Sequence, residues 1–351
     1  MSRSLSFVVP GDLGTRTGGY GYDREIIAGL RELGWQVDVH SLDASFPFPS
    51  PAALESARET LAALPDNRLV IVDGLAFGAM PDIAEAEARR LNLVGLVHHP
   101  LALETGLTPE QARTLMSAER RALATTRAVI VTSAPTRSTL RDYAVPAERI
   151  TVVEPGTAAA PVASGSGSGE LTLLCVASLT ARKGHDLLFT ALAGLKDFAW
   201  RLHCIGGAMG DDRMLRSLQD QLSDHGLLER VTFAGEGDDA MVARAYGAAD
   251  LFVLPTRYEG YGMVVAEALA RGLPVISTRT GAIAELVGDA AGLIVPPDDM
   301  AALRLALHRV LSDADLRASL RQGALAVRSR LPRWQDSARK LASVLEQVAH
   351  S

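Results

Sequence analysis

Glu259 and Glu267 stand eight positions apart, on either side of a Gly260-Tyr261-Gly262 turn and the apolar run Met263 to Ala266. An apolar stretch, Asp250 to Leu254, reads as a strand just before them, and Met263 to Arg271 reads as a helix just after. A strand that feeds a glycine turn and then a helix aims unpaired backbone N–H groups at whatever lies beyond the strand, which suits a phosphate. Two carboxylates cannot hold that phosphate themselves, because like charges repel. They do accept hydrogen bonds from hydroxyls. The segment therefore reads as a site for a phosphate with sugars on both sides, which describes a nucleotide sugar.

Three further places carry side chains suited to the same chemistry. After the strand Leu171 to Ala177 come Ser178 and then Arg182-Lys183-Gly184, two adjacent cations beside a glycine turn. Cations there would neutralise a diphosphate as it leaves. The glycine-rich loop Gly11 to Gly21 follows the first strand, but its spacing is not that of a dinucleotide fingerprint. His98-His99-Pro100 ends the strand Leu93 to Val97. A neutral imidazole there can hydrogen-bond a sugar hydroxyl without titrating. No third ligand is evident nearby, so no metal is expected.

Together these motifs resemble the donor site of retaining glycosyltransferases of the GT-B fold, glycosyltransferase family four. By that resemblance Glu259 would hold the donor sugar and Glu267 the ribose, with Gly260, Tyr261, Gly262, Met263 and Val264 lining the donor site. Lys183-Gly184 matches the family's phosphate motif. The family's arginine position is Ser178 here, and Arg182 is inferred to supply the missing charge. Gly18 and Gly19 match the family's Gly-Gly pair before the first helix, and His98 its histidine close to the donor sugar. Gly206 and Gly207, and Phe233 to Gly235, fall where the family places base and phosphate. Asp12, Thr15, Arg16, Thr17, His99 and Glu104 are candidates for touching acceptor or phosphate. Glu285 would brace the site. The resemblance implies a metal-independent front-face reaction in which the leaving phosphate helps take the acceptor proton. It assigns no protein nucleophile and no resident cofactor. The co-substrate would be a UDP- or GDP-linked sugar, and domain closure would expel water from the donor.

The elements that must position these residues are legible as alternating runs. Leu5 to Val9, Gln36 to His40, Leu69 to Val72, Leu93 to Val97, Ala128 to Val131 and Ile150 to Val153 read as strands in the first half. The helix Tyr22 to Leu33 carries Ile26, Ile27, Leu30 and Leu33 on one face, and Thr108-Pro109-Glu110-Gln111 opens another with a capping box. The alternation restarts at Leu171 to Ala177 and continues through Arg201 to Ile205, Val231 to Ala234, Asp250 to Leu254, Val275 to Ser277 and Gly292 to Val295. Two more helices follow Pro297. The charged segment Asp211 to Ser223 reads as a solvated helix face. The expected fold is α/β: two doubly wound Rossmann-like domains facing a central cleft. Residues 1–163 form the first domain, 164–169 a Gly/Ser linker and 170–330 the donor domain. A helix over 331–351 is expected to pack back on the first domain.

Composition fits this picture. The 351 residues are 48% hydrophobic and 22% charged, in the range of globular chains, and are too many for one ordinary core. A net charge of −6 argues against a general attraction to nucleic acid. The two cysteines, Cys175 and Cys204, lie in apolar strands and offer no disulfide framework, which fits a cytoplasmic protein. The Met1 to Pro10 stretch reads as a first strand rather than a signal peptide. The basic run Arg113, Arg120, Arg121 and Arg127 leaves a peripheral membrane contact open, with a solvated face as the plainer reading. The sequence leaves the nucleotide base, the acceptor, the linkage and the oligomeric state open. Two other classes remain compatible with the motifs: an epimerase or phosphorylase on the same fold, and a non-catalytic sugar-nucleotide binding protein. Neither Lys183 nor Lys196 has the context of a pyridoxal lysine, and Glu259, Glu267 and Lys183 are all in place for catalysis.

Overall fold

A computed structural model describes residues 3–104, 106–208 and 212–350, with the side chain of Asp212 left aside. The chain divides into two units, Met1–Gly156 with Pro332–Ser351, and Thr157–Leu331. In the first lie β1 (Ser4–Pro10), α1 (Gly18–Glu32), β2 (Gln36–Leu42), α2 (Pro51–Ala62), β3 (Leu69–Asp73), α3 (Gly74–Phe77), α4 (Pro81–Glu87), β4 (Asn92–Val97), α5 (Pro109–Ala124), β5 (Ala128–Val131), α6 (Ala134–Thr139) and β6 (Ile150–Val152). In the second lie β7 (Leu171–Val176), α7 (His185–Ala193), β8 (Trp200–Ile205), α8 (Asp212–Asp224), β9 (Val231–Phe233), α9 (Asp239–Ala248), β10 (Leu251–Leu254), α10 (Met263–Ala270), β11 (Val275–Thr278), α11 (Ile283–Val287), β12 (Gly292–Val295), α12 (Met300–Ser312) and α13 (Ala314–Arg328). The last helix, α14 (Trp334–His350), returns to the first unit.

Each unit is built on a six-stranded sheet, ordered β2-β1-β3-β4-β5-β6 in the first and β12-β11-β10-β7-β8-β9 in the second. Their pairings are parallel. Strands buried on both faces read as continuous apolar runs, which is why Leu69 to Val72 and Leu251 to Leu254 carry no polar alternation. The expected strands form with boundary shifts of at most two residues. Helix α1 starts earlier than its apolar stripe suggests, because the Thr17 side chain caps it by accepting from the Tyr20 N–H. Of the charged segment Asp211 to Ser223, Asp211 lies outside the described residues. The rest belongs to α8, which buries Leu218 and Leu222.

The stretch 164–169, expected as a flexible linker, lies inside the second unit. Asp250 holds it there: one carboxylate oxygen accepts from the Ser166 N–H at 3.1 Å and the other from the Thr172 N–H at 2.8 Å. The Ser164 N–H donates to the Gly247 carbonyl at 2.9 Å. Composition favours disorder here, but these backbone donors find fixed acceptors. Helix α14 packs within the first unit, with Trp334 edge-on to Tyr22 at 5.8 Å and Ser337 Oγ donating to the Glu154 carbonyl at 2.6 Å. A methyl group at Gly29 of α1 would lie 2.6 Å from Ala338 Cβ, so the two helices approach too closely for a side chain there.

Backbone also meets backbone at the ends of β7 and β8. A Cβ at Gly206 would fall 1.9 Å from the Ala177 carbonyl oxygen. Gly206→Ala is expected to destabilise the second unit by about 2 kcal/mol or more, read as a lower midpoint in urea unfolding. Gly18→Ala is the control: its added methyl meets nothing within 4 Å, and the midpoint is expected to stay in place.

Candidate functional site

In the second unit the sheet order reverses between β7 and β10, whose following segments leave in opposite directions. Ligands of doubly wound sheets bind outside the carboxyl ends of the strands at such a reversal. The segment after β7 makes a 3-10 turn over Ala181–Lys183 and enters α7 through Gly184, at φ 72°. A Cβ at Gly184 would lie 2.1 Å from the Pro255 carbonyl oxygen, so this turn sits directly against the segment leaving β10. That segment clamps it. The Arg257 N–H donates to the Arg182 carbonyl at 2.7 Å, and Thr256 Oγ1 lies 3.0 Å from the same oxygen. The Arg257 guanidinium grips both carboxylate oxygens of Asp186 at 2.9 and 2.7 Å and reaches Asp298 at 2.8 Å. Partial burial works against the charge on Asp186, but Arg257 outweighs it and holds the carboxylate below its usual range.

The clamp brings the expected charges together. Lys183 Nζ lies 2.5 Å from Glu259 Oε2, and Arg182 Nη1 lies 3.9 Å from the same oxygen. Arg182 also donates to the Tyr258 carbonyl at 3.0 Å. All three side chains are less than one-fifth exposed, at 18%, 12% and 17% for Arg182, Lys183 and Glu259. The chain then turns through Gly260 and Gly262, the latter at φ 96°, and starts α10 with no side-chain cap. Its first amides thus remain available to an anion. Gly281 fixes this loop from the other side, since a Cβ there would sit 1.8 Å from the Glu259 carbonyl oxygen. The Ala282 N–H donates to the Gly260 carbonyl at 3.2 Å.

Glu267 lies one turn further along α10 and is half-buried. Burial raises its pKa above the usual carboxylate range, although Arg271 pulls the other way. The side chain of Tyr261 is 6% exposed and packs with Ala266 and Ala282, so only its backbone can face a ligand. Glu285 is exposed on α11. Gly206 acts first as the close approach of two strand ends described above.

In the first unit, Gly18 and Gly19 open α1, and a Cβ at Gly19 would meet His98 Cδ2 at 3.3 Å. His98 does not stand alone, contrary to the expectation of no further ligand nearby. Its Nε2 lies 3.2 Å from Asp23 Oδ1 and 3.3 Å from Asp73 Oδ2, and the three ligand atoms all fall within 4.8 Å of one another. The edge of Tyr22 packs on the ring at 5.3 Å between centroids. Burial raises the Asp23 carboxyl to about 7. Burial opposes a charge on His98, but the two carboxylates outweigh it and raise the ring to about 10. Asp12 folds back on its own loop, accepting from the Gly14 N–H at 2.8 Å, and Arg16 is exposed in that loop. His99 pairs with Glu104 at 3.2 Å. Of the basic run on α5, Arg121 is occupied by Asp82 at 2.6 Å and Glu85 at 2.8 Å. Among the described residues no helix is long and apolar enough to cross a membrane.

Sequence reasoning passed over Asp23, Asp73, Arg257, Asp186 and Glu119. A signal existed for the first: Asp23 falls at helical spacing with Ile26, Ile27 and Leu30, a charge on a buried stripe. Glu119 of α5 is 1% exposed and accepts from the Leu101 N–H at 3.0 Å, tying the loop after His98 to the helix layer.

Burial raises the Glu119 carboxyl to about 8. An acid whose folded pKa lies above its unfolded one adds stability that is complete at low pH and lost as pH rises through the folded value. Stability of the first unit should therefore fall between about pH 4.5 and about pH 8. Glu119→Gln, which keeps an acceptor without the charge, is expected to flatten that part of a melting-temperature profile against pH.

Comparison with known proteins adds an independent line. Residues 22–159 match the family model described as Glycosyltransferase Family 4, and residues 158–326 match Glycosyl transferases group 1. The lipopolysaccharide core biosynthesis mannosyltransferase LpsB of Rhizobium meliloti is 32% identical over 180 residues, which take in 50% of this chain and 51% of that protein. A D-inositol 3-phosphate glycosyltransferase of Xylanimonas cellulosilytica is 30% identical over 264 residues, 70% of this chain and 63% of that one. The chain thus spans about half to six-tenths of the length of these curated relatives. Among solved structures, sucrose-phosphate synthase from Thermosynechococcus elongatus superposes with a TM-score of 0.84 at 24% identity, over 99% of this chain and 100% of that one. Anabaena HepE in complex with UDP-glucose gives 0.78 at 19% identity, over 97% and 99%. At these identities the likeness speaks for the fold.

Proposed function

The chain belongs to glycosyltransferase family four, and on that footing we propose that it moves a hexose from a nucleotide-diphosphate sugar to a hydroxyl acceptor with retention of configuration. The observation that carries this reading is the Lys183–Glu259 pair, 2.5 Å apart at the switch point, leading directly into the uncapped start of α10. The two groups are held close enough to exchange partners. An incoming donor offers a better partner to each: phosphate oxygens to Lys183 and Arg182, and sugar hydroxyls to Glu259. Glu267, one turn along the helix and partly enclosed, would take the ribose hydroxyls.

Catalysis in this reading is electrostatic. As the bond from the sugar to the diphosphate breaks, negative charge builds on the leaving oxygen, where Lys183, Arg182 and the amides of Gly262 and Met263 stabilise it. The acceptor attacks from the same face and hands its proton to the departing phosphate, so no protein carboxylate serves as nucleophile and no metal or resident cofactor is invoked. The donor is UDP- or GDP-linked, and the acceptor is a sugar-containing or lipid-linked hydroxyl.

A thermal-shift screen against nucleotide-diphosphate sugars is expected to give one clear stabilising donor, since a ligand of the folded state raises the melting temperature by mass action. With that donor and an acceptor, Lys183→Ala and Glu259→Ala are each expected to lower kcat by about 10²- to 10³-fold or more while the melting temperature holds. The product's anomeric configuration, read by NMR, is expected to match the donor's. A flat panel on folded protein, or wild-type turnover in either variant, would overturn the assignment.

A further inference from the structure

Asp23, Asp73 and His98 form a set of ligand atoms carried wholly by the first unit, on α1, at the end of β3 and after β4. Asp23 is fully buried, and neither of its carboxylate oxygens receives a well-directed hydrogen bond. His98 Nε2 is enclosed as well. It stands 3.2 Å from Asp23 Oδ1 and 3.3 Å from Asp73 Oδ2, but off-line to both, so it completes a hydrogen bond with neither. Asp73 spends Oδ1 on the Leu75 N–H at 2.7 Å, which caps α3 and leaves Oδ2 turned toward the ring. Among the described residues no arginine or lysine pairs with either carboxylate. Buried polar atoms are ordinarily satisfied, and a buried carboxylate with neither donor nor cation is costly. Three such atoms turned toward one another point to a partner that can accept all three lone pairs at once.

We propose that Asp23, Asp73 and His98 are the protein ligands of a structural divalent transition-metal ion, with zinc the best fit. Zinc takes imidazole nitrogen and carboxylate oxygen at about 2.0–2.2 Å in a tetrahedron, which sets neighbouring ligand atoms about 3.3 Å apart. The ring nitrogen stands at that spacing from each carboxylate, and all three atoms lie within 4.8 Å of one another. Charge balances too. Two carboxylates and a neutral ring carry two negative charges, which a divalent ion cancels, and Nε2 then serves through its lone pair instead of a misaligned N–H. An imidazole in the set disfavours magnesium and calcium, which take oxygen ligands. The ligands are also oriented from behind, as metal ligands need to be. The Leu75 N–H holds Asp73, and the His98 ring packs against the edge of Tyr22 and against Gly19, where a Cβ would come within 3.3 Å of Cδ2. Among the described residues no further His, Cys, Asp or Glu joins the set, so water completes the coordination. The His98 side chain is 21% exposed and gives the ion a way in from solvent. The ion clips α1 to the carboxyl ends of β3 and β4. It braces the first unit and takes no part in the sugar transfer proposed above, on which this inference does not draw.

Zinc binding to the untagged full chain tests this without reference to turnover. After chelator treatment and equilibration with zinc, elemental analysis should find about one ion per chain. The same zinc should raise the melting temperature, because an ion that binds the folded state stabilises it by mass action. His98→Gln and Asp73→Asn should each weaken zinc binding by about 100-fold or more and abolish the zinc-dependent rise in melting temperature. Asp73→Asn keeps an oxygen to cap α3, so its fold is expected to survive. X-ray absorption at the zinc edge of the wild-type chain carries the test where a variant does not fold. It should show nitrogen and oxygen at about 2.0–2.1 Å, an imidazole among them, and no sulfur at about 2.3 Å. A wild-type chain that retains no zinc, with a melting temperature indifferent to it, would overturn the proposal and leave the trio an ion pair. Undiminished zinc in both variants would overturn it as well, and so would a sulfur shell, which would place the ion at Cys175 and Cys204.

Discussion

A parallel sheet cannot return its chain by a hairpin, so each strand hands over to a crossover at its carboxyl end. Wherever the strand order reverses, two neighbouring strands send their crossovers to opposite faces and leave a crevice between them. Both sheets here contain such a reversal, between β1 and β3 and between β7 and β10. The chemistry-bearing residues gather at these two places because there the backbone leaves room. Lys183 and Glu259 follow β7 and β10. Asp73 ends β3, Asp23 lies on the helix after β1, and His98 follows the adjacent β4.

The two gatherings manage charge differently. In the second unit opposite charges are matched directly, and the segment leaving β10 fixes the match by gripping the turn after β7 through Arg257. That guanidinium serves Asp186, Asp298 and the Ala181 carbonyl at once, a use of its planar fork that a lysine would not reproduce. In the first unit two acids share one imidazole inside the protein. One site is open to exchange of partners. The other is enclosed, with both carboxylates turned to a single ring nitrogen.

Much of the architecture was legible because fully buried parallel strands and amphipathic helices have different periods, and each run from Leu5 to Val295 announced itself that way. The Glu259–Glu267 spacing and the Lys183-Gly184 pair were legible too, being local in sequence. What stayed hidden was non-local or depended on a single acceptor. Asp250 is an unremarkable residue before a strand until its two oxygens are found holding Ser166 and Thr172, which turns a stretch of glycine and serine into ordered backbone. Asp23 and Asp73 are separated by fifty positions and meet only because β1 and β3 are neighbours. The Tyr261 motif was legible as well but said nothing of its ring, which packs 6% exposed against Ala266 and Ala282.

The return of α14 makes the first unit discontinuous in sequence, with the whole of the second unit inserted between its parts. Tyr22, Gly29 and Glu154 receive their partners from Trp334, Ala338 and Ser337. During synthesis, residues 157–331 have all emerged before those partners exist. The half of the molecule that is made first is therefore the half whose helix layer is finished last.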